Sequence, residues 1–188
     1  MSVWFNNSMK KLLTRTSKIS LTVLLAIFSL GFIFPEQHQM PVQGATSKDW
    51  NSKSFWYYPW GRSGVHRGID IFAEEGTPVI ASTGGLVIYS GKISMGGNVV
   101  LMLGPKWRLH YFAHLKDSNN HRIGFVDAGQ RLGSVGSSGN AAGKPPHLHY
   151  SIRSLYPRLW EYLRLNKAKV MYARSRMYYI DPNKFLKS

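Results

Sequence analysis

TPVIASTGGLVIYSGKISMGGNVVLMLGPKWRLHYFAHL, residues 77–115, decides the fold. Short runs rich in Val, Ile, Leu and Tyr alternate with the glycine pairs Gly84-Gly85 and Gly96-Gly97. β-branched and aromatic runs bounded by turn residues predict strands. The candidates here are 78–82, 85–91, 98–104 and 108–115. Further along, RLGSVG (131–136) and HLHYSIRS (147–154) read the same way, and VHRGIDIF contains a strand starting at Ile69. No segment between 57 and 154 repeats apolar residues with a helical period. The expectation is a single, mainly β domain, a compact sheet or sandwich. Leu155 to Lys169 is expected to form one basic helix, and Tyr179 to Pro182 to close the body.

Upstream, ISLTVLLAIFSLGFIF (19–34) runs sixteen residues without a charge and ends before Pro35. Lys10, Lys11, Arg15 and Lys18 all lie on its N-terminal side. That asymmetry reads as a membrane-targeting helix over 1–34, either a signal peptide or a signal anchor. No small-x-small cleavage site follows at the usual distance, so an uncleaved anchor with the body outside the cytoplasm is the expectation. The polar, irregular residues 35–56 read as a linker, and 57–188 as the domain, with a core at 60–154 and a basic extension at 155–188.

The 188 residues carry a formal net charge of +15. Such a balance favours a polyanionic partner: nucleic acid, anionic lipid or an anionic wall polymer. Seven cations between Arg153 and Arg176 face one acid, Glu161, which predicts a basic patch. An export leader argues against nucleic acid. There are no cysteines, so thiolate metal sites, disulfides and a cysteine nucleophile are excluded. Any metal must be held by His, Asp or Glu.

Seven histidines are present. His66 and Asp70 flank a glycine in HRGID, where a turn entering a strand lets both side chains converge. His147 and His149, two apart in a strand, share a face. Two imidazoles and a carboxylate meet the demand of a catalytic zinc for three protein ligands and an open position. A lone H-x-H pair also arises as a surface pair, and His110 reads equally as a rim residue or a packed structural histidine. GSSGNAAGKPP (136–146) lacks the phosphate-loop pattern and reads as a groove loop ordering His147 and His149.

The order HRGIDIF, GTPVIASTGGLVIYSG, GGNVVLMLG, YFAHL, GSVGSSGNAAGKPPHLHYSIR resembles the lysostaphin/LytM-type zinc endopeptidases over about residues 60–154. The resemblance implies a compact antiparallel β domain with an open groove. It implies one Zn2+ per chain on His66, Asp70 and His149. It also implies catalytic roles for His114 and His147, as general base and as stabiliser of the tetrahedral intermediate. The implied substrate is bacterial peptidoglycan: D,D-crosslinks first, oligoglycine bridges second. A tyrosine upstream of the first zinc histidine often assists in such relatives; here Tyr57, Tyr58, Trp60 and Arg62 are the candidates. A non-catalytic wall-binding or amidase-activating envelope protein is the alternative, disfavoured because all five positions are intact. An envelope protein that regulates the groove is a further partner class.

Overall fold

The computed structural model describes residues 2–117, 123–163 and 172–186. They divide into two units, residues 1–35 and 36–188. The first is a helix, α1 (Ser2–Ile33). Its segment Thr16–Ile33 is long and apolar enough to cross a membrane.

The second unit is built on strands β1 (Ile69–Phe72), β2 (Pro78–Ile80), β3 (Gly85–Ile93), β4 (Gly97–Gly104), β5 (Arg108–Leu115), β6 (Gly124–Val126), β7 (Arg131–Ser134), β8 (His147–Ser154) and β9 (Tyr179–Ile180). Among the described residues, an antiparallel sheet runs β1-β8-β5-β4-β3-β6, and β2 pairs with β7 in a second small sheet. The fold is therefore mainly β and antiparallel, as expected from the sequence. β6 was not foreseen: Gly-Phe-Val is too short to carry a period.

β8 organises the large sheet. One edge pairs with β5 along most of its length. The other pairs first with β1 (Asp70 opposite His149) and then with β9 (Arg153 opposite Tyr179). Alternation sends Leu148, Tyr150 and Ile152 into the core with Ile69, Ile71, Met102 and Phe112. It turns His147, His149, Ser151 and Arg153 to the opposite face, where they line a groove.

The expected linker does not exist as one. Residues 36–56 are irregular, but they pack on the body. Val42 is fully buried and bridges to Val79. The Ile80 N–H donates to the Pro41 carbonyl (2.9 Å), and the Phe72 N–H to the Asp49 carbonyl (2.9 Å). Trp50 is buried, and its indole N–H donates to Asn183 (2.7 Å). Isolated apolar residues such as Val42 and Trp50 make no periodic pattern, so polar composition was read as exposure.

The expected helix over 155–169 starts later. α2 is Leu159–Leu163. Pro157 disfavours helical geometry at Tyr156 and so blocks an earlier start. Residues 164–169 of that expectation lie outside the described residues. α3 (Ala173–Arg176) then leads into β9, and Asp181 caps the short turn that follows through its side chain. Closure at 179–182 agrees with the sequence reading.

Behind the groove, the Glu36 carboxylate is fully buried beside Arg108, Lys106 and His110. The His110 Nδ1 meets the Tyr150 hydroxyl at 2.8 Å. Burial pushes the His110 imidazole down to about 4, against the opposing pull of Glu36. The folded state thus binds fewer protons than the unfolded chain between pH 6.5 and pH 4. Stability is lost as pH falls through that window, by up to about 3 kcal/mol from this residue. Urea unfolding of the metal-free protein at pH 7 and pH 4 should show a smaller acid loss in His110→Gln than in wild type.

Candidate metal centre and catalytic groove

The groove occupies about 750 Å³ over the exposed face of β8, β1 and β5. His66 and Asp70 reach it through a close approach that requires Gly68. A Cβ there would lie 2.4 Å from the Tyr150 carbonyl oxygen and 3.0 Å from the His149 ring. The glycine lets the turn lie directly on β8, and Asp70 enters β1 opposite His149.

Three donor atoms then form a small triangle. His66 Nε2 to Asp70 Oδ1 is 3.0 Å, His66 Nε2 to His149 Nδ1 is 3.1 Å, and His149 Nδ1 to Asp70 Oδ1 is 2.8 Å. Ligands about 2.0–2.1 Å from a tetrahedral zinc stand roughly 3.3 Å apart, so the edges are of the right size. The protonation pattern fits as well. His66 Nδ1 lies 3.1 Å from the Ser54 carbonyl, which can only accept. The neutral ring is therefore protonated at Nδ1, and its Nε2 lone pair faces the carboxylate. Acceptors converging on one point call for a cation between them. The Ser54 contact also orients the ring, as second-sphere partners of metal-bound histidines do. Trp60 stacks on the outer face of His66, with ring centroids 4.1 Å apart.

Burial opposes the charge on Asp70. The His149 and His66 imidazoles beside it nevertheless hold its carboxyl far below the usual carboxylate range. Burial pushes His149 down, with Asp70 opposing. At neutral pH Asp70 is thus a carboxylate and His149 a neutral imidazole, forms that ligate metals.

His114 and His147 stand beside this triangle, with ring centroids 5.1 Å apart; His114 is 5.9 Å from His149. His114 Nδ1 is 2.9 Å from the Ser138 carbonyl, and His147 Nδ1 is 2.7 Å from the Pro145 carbonyl. Nδ1 therefore carries a proton in both rings, which leaves Nε2 for the groove side. Burial, with His149 and His147 nearby, pushes His114 down to about 4, so it is neutral at pH 7.

Strict alternation would put His110 and His114 on one face. The structure separates them. A bulge interrupts the β4–β5 register between Asn98 and Val100, and His114 takes a left-handed φ of 64°. The His114 N–H donates to the Gly96 carbonyl (2.8 Å). That local flip puts both Ala113 and His114 in the groove and leaves His110 in the core. His38 stacks on Phe185 away from the groove, and His121 lies outside the described residues.

The loop 136–146 lines the groove through Asn140, Ala141, Lys144 and Pro145. Its Ser138 hydroxyl accepts from the Asn98 N–H (2.9 Å) and donates to the Leu115 carbonyl (2.7 Å). Sequence reading missed Ser138 as the residue that seats His114; the small-residue run around it was the available signal. It also missed Tyr111, whose ring packs near His149 and whose phenol burial pushes up to about 12. Of the four upstream candidates, Trp60 and Arg62 line the groove, and Tyr57 and Tyr58 do not.

Residues 64–161 match peptidase family M23. The chain belongs to that family. An L-Ala--D-Glu endopeptidase of Bacillus subtilis is 38% identical over 131 residues, which are 65% of this chain and 40% of the relative. A DD-carboxypeptidase/endopeptidase, Mpg, of Neisseria meningitidis is 38% identical over 89 residues, 47% of this chain and 20% of the relative. This M23 chain thus spans less than half the length of both. Among solved structures, the catalytic domain of lysostaphin from Staphylococcus simulans superposes with a TM-score of 0.55 at 29% identity, over 72% of this chain and 90% of that one.

Because Gly68 sets the spacing of two donors in this M23 site, Gly68→Ala should weaken zinc binding about tenfold or more. Titration against a fluorescent zinc chelator measures it. Unfolding of the metal-free variant checks that the body still folds.

Proposed function

We propose that the chain is a zinc-dependent endopeptidase that hydrolyses peptide crosslinks of bacterial peptidoglycan. The observation that carries this reading is the three-donor triangle with two backbone-pinned histidines beside it in an open groove. His66, Asp70 and His149 would hold the zinc. The ion supplies Lewis-acid activation of water and of the scissile carbonyl.

The protein's own residues do the rest. His114, neutral and presenting Nε2, accepts the proton of the attacking water and returns it to the leaving amine. His147 has committed its Nδ1–H to Pro145. Its Nε2 edge lies on the groove side and, when it carries a proton, donates to the developing oxyanion. The Ser138 and Pro145 carbonyls keep both rings aligned without a side-chain carboxylate.

A D,D-crosslink is the first reading of the bond, in line with the name of the Neisseria relative. An L-Ala–D-Glu bond is the second, favoured by the name of the Bacillus relative that matches 65% of this chain. The apolar segment within residues 19–34 is proposed as an anchor that holds the body outside the cytoplasm, next to the wall.

Full-length protein in detergent should bind about one zinc and release uncrosslinked muropeptides from purified peptidoglycan, with chelator abolishing release. Mass spectrometry of the products names the bond. Bound zinc with no cut in wall peptides would overturn the substrate. His114→Ala should keep the zinc and lose about two or more orders of magnitude in rate. Near-full activity in that variant would overturn the base assignment.

A further inference from the structure

The groove's charge is one-sided. Its lining includes the cations Arg62, Arg67, Lys144 and Arg153, and the one acid, Asp70, is engaged by His66 and His149. Other cations of the C-terminal region have acid partners: Arg158 meets Glu161 at 3.3 Å, Arg176 meets it at 4.0 Å, and Lys184 at 3.8 Å. Among the described residues, no carboxylate lies within ion-pair distance of Arg67 or Arg153. Arg67 gives one N–H to the Ser63 carbonyl (3.2 Å). Most of its fork stays free, and Arg153 is exposed.

These two guanidinium groups converge on one ring. Arg67 Cζ is 5.9 Å, and Arg153 Cζ 6.0 Å, from the centroid of Tyr179, the ring they share; Arg67 also lies 6.0 Å from the Tyr172 ring and Arg153 5.7 Å from the Tyr178 ring. Tyr179 is held firmly. It pairs with Arg153 in the β8–β9 ladder, and the Arg176 guanidinium donates to its carbonyl (2.8 Å). Cation–π contact with a ring fixed in the β8–β9 ladder restricts two flexible cations and leaves N–H edges available, the groups that planar carboxylates take up in bidentate fashion.

Their place along the strand matters. His147, His149, Ser151 and Arg153 share one face of β8, so Arg153 lies on the far side of His149 from His147. The backbone separation from His149 is about 13 Å, four strand residues. An extended peptide whose scissile bond sits at the donor triangle would bring a residue a few positions away to this pair.

We propose that Arg67 and Arg153, ordered on Tyr179, form a carboxylate subsite that selects peptides bearing a free carboxylate on one side of the scissile bond. This rests on the peptidase reading above and names a feature of its substrate. Two arginines on an ordered ring are a specificity device rather than part of the chemistry. The same two positions decide between a wall peptide with a free side-branch carboxylate and its amidated counterpart.

The test uses two synthetic stem peptides that differ only in that carboxylate: free or amidated. Cleavage by the full-length, zinc-loaded protein in detergent is followed by mass spectrometry. Binding to the chelator-treated protein is measured by calorimetry. Wild type should favour the acid by roughly tenfold in both readouts. Arg153→Gln and Arg67→Gln should remove the preference, with the response to the acid falling roughly tenfold more than the response to the amide. Arg153→Lys, which keeps the charge but loses the fork, should restore part of it. Equal cleavage and equal binding of both peptides overturn the subsite and leave the peptidase reading intact. Acid-selective binding that depends on Arg153, with no cleavage of either peptide, supports the subsite and overturns the peptidase reading. A preference that survives both glutamine variants overturns the assignment to this pair.

Discussion

The register of β8 is the constraint on which the rest of this structure depends. One edge of that strand is given to β5, and the other is divided between β1 and β9. The division places Asp70 opposite His149 and Tyr179 opposite Arg153 along one edge of β8. A slip of one residue would send His149 into the core and Tyr150 into the groove, because neighbouring strand residues face opposite sides. Burial of Leu148, Tyr150 and Ile152 makes that slip costly, so core packing also holds the donor set.

Around this strand, backbone carbonyls commit one nitrogen of three groove imidazoles. Ser54, Ser138 and Pro145 carbonyls take the Nδ1 protons of His66, His114 and His147. Backbone carbonyls are fixed by the fold and do not titrate, so they set tautomers without adding charge. Their Nε2 sides belong to a groove whose uncommitted charges are cationic. Donor atoms, proton acceptors and positive rim are thus separate layers of one surface.

The loops next to the strands carry the precision. Gly68 permits contact between the HRGID turn and β8, and the left-handed His114 reverses the facing of β5 so that its ring joins the groove lining. Ser138 ties the loop 136–146 to β4 and β5 at once. A left-handed β-strand residue other than glycine is uncommon and is held here by its hydrogen bond to Gly96.

Alternating apolar runs and glycine punctuation made the β class and most of the strands legible, with β5 and β8 read at their observed ends. Strand period and residue chemistry likewise brought His147 and His149 onto one face, and the absence of cysteine restricted any metal to His and carboxylate ligands. Those features are local, and local patterns are what a sequence displays. Tertiary structure alone decided that 36–56 belongs to the body, because Val42 and Trp50 are buried by partners far along the chain. It alone separated His110 from His114, because a bulge reverses alternation without a marker in composition. It alone brought Arg67, Arg153 and Tyr179 together, since their meeting needs β1, β8 and β9 to share one edge. Contacts across such distances in sequence depend on the register of the whole sheet, which no short segment contains.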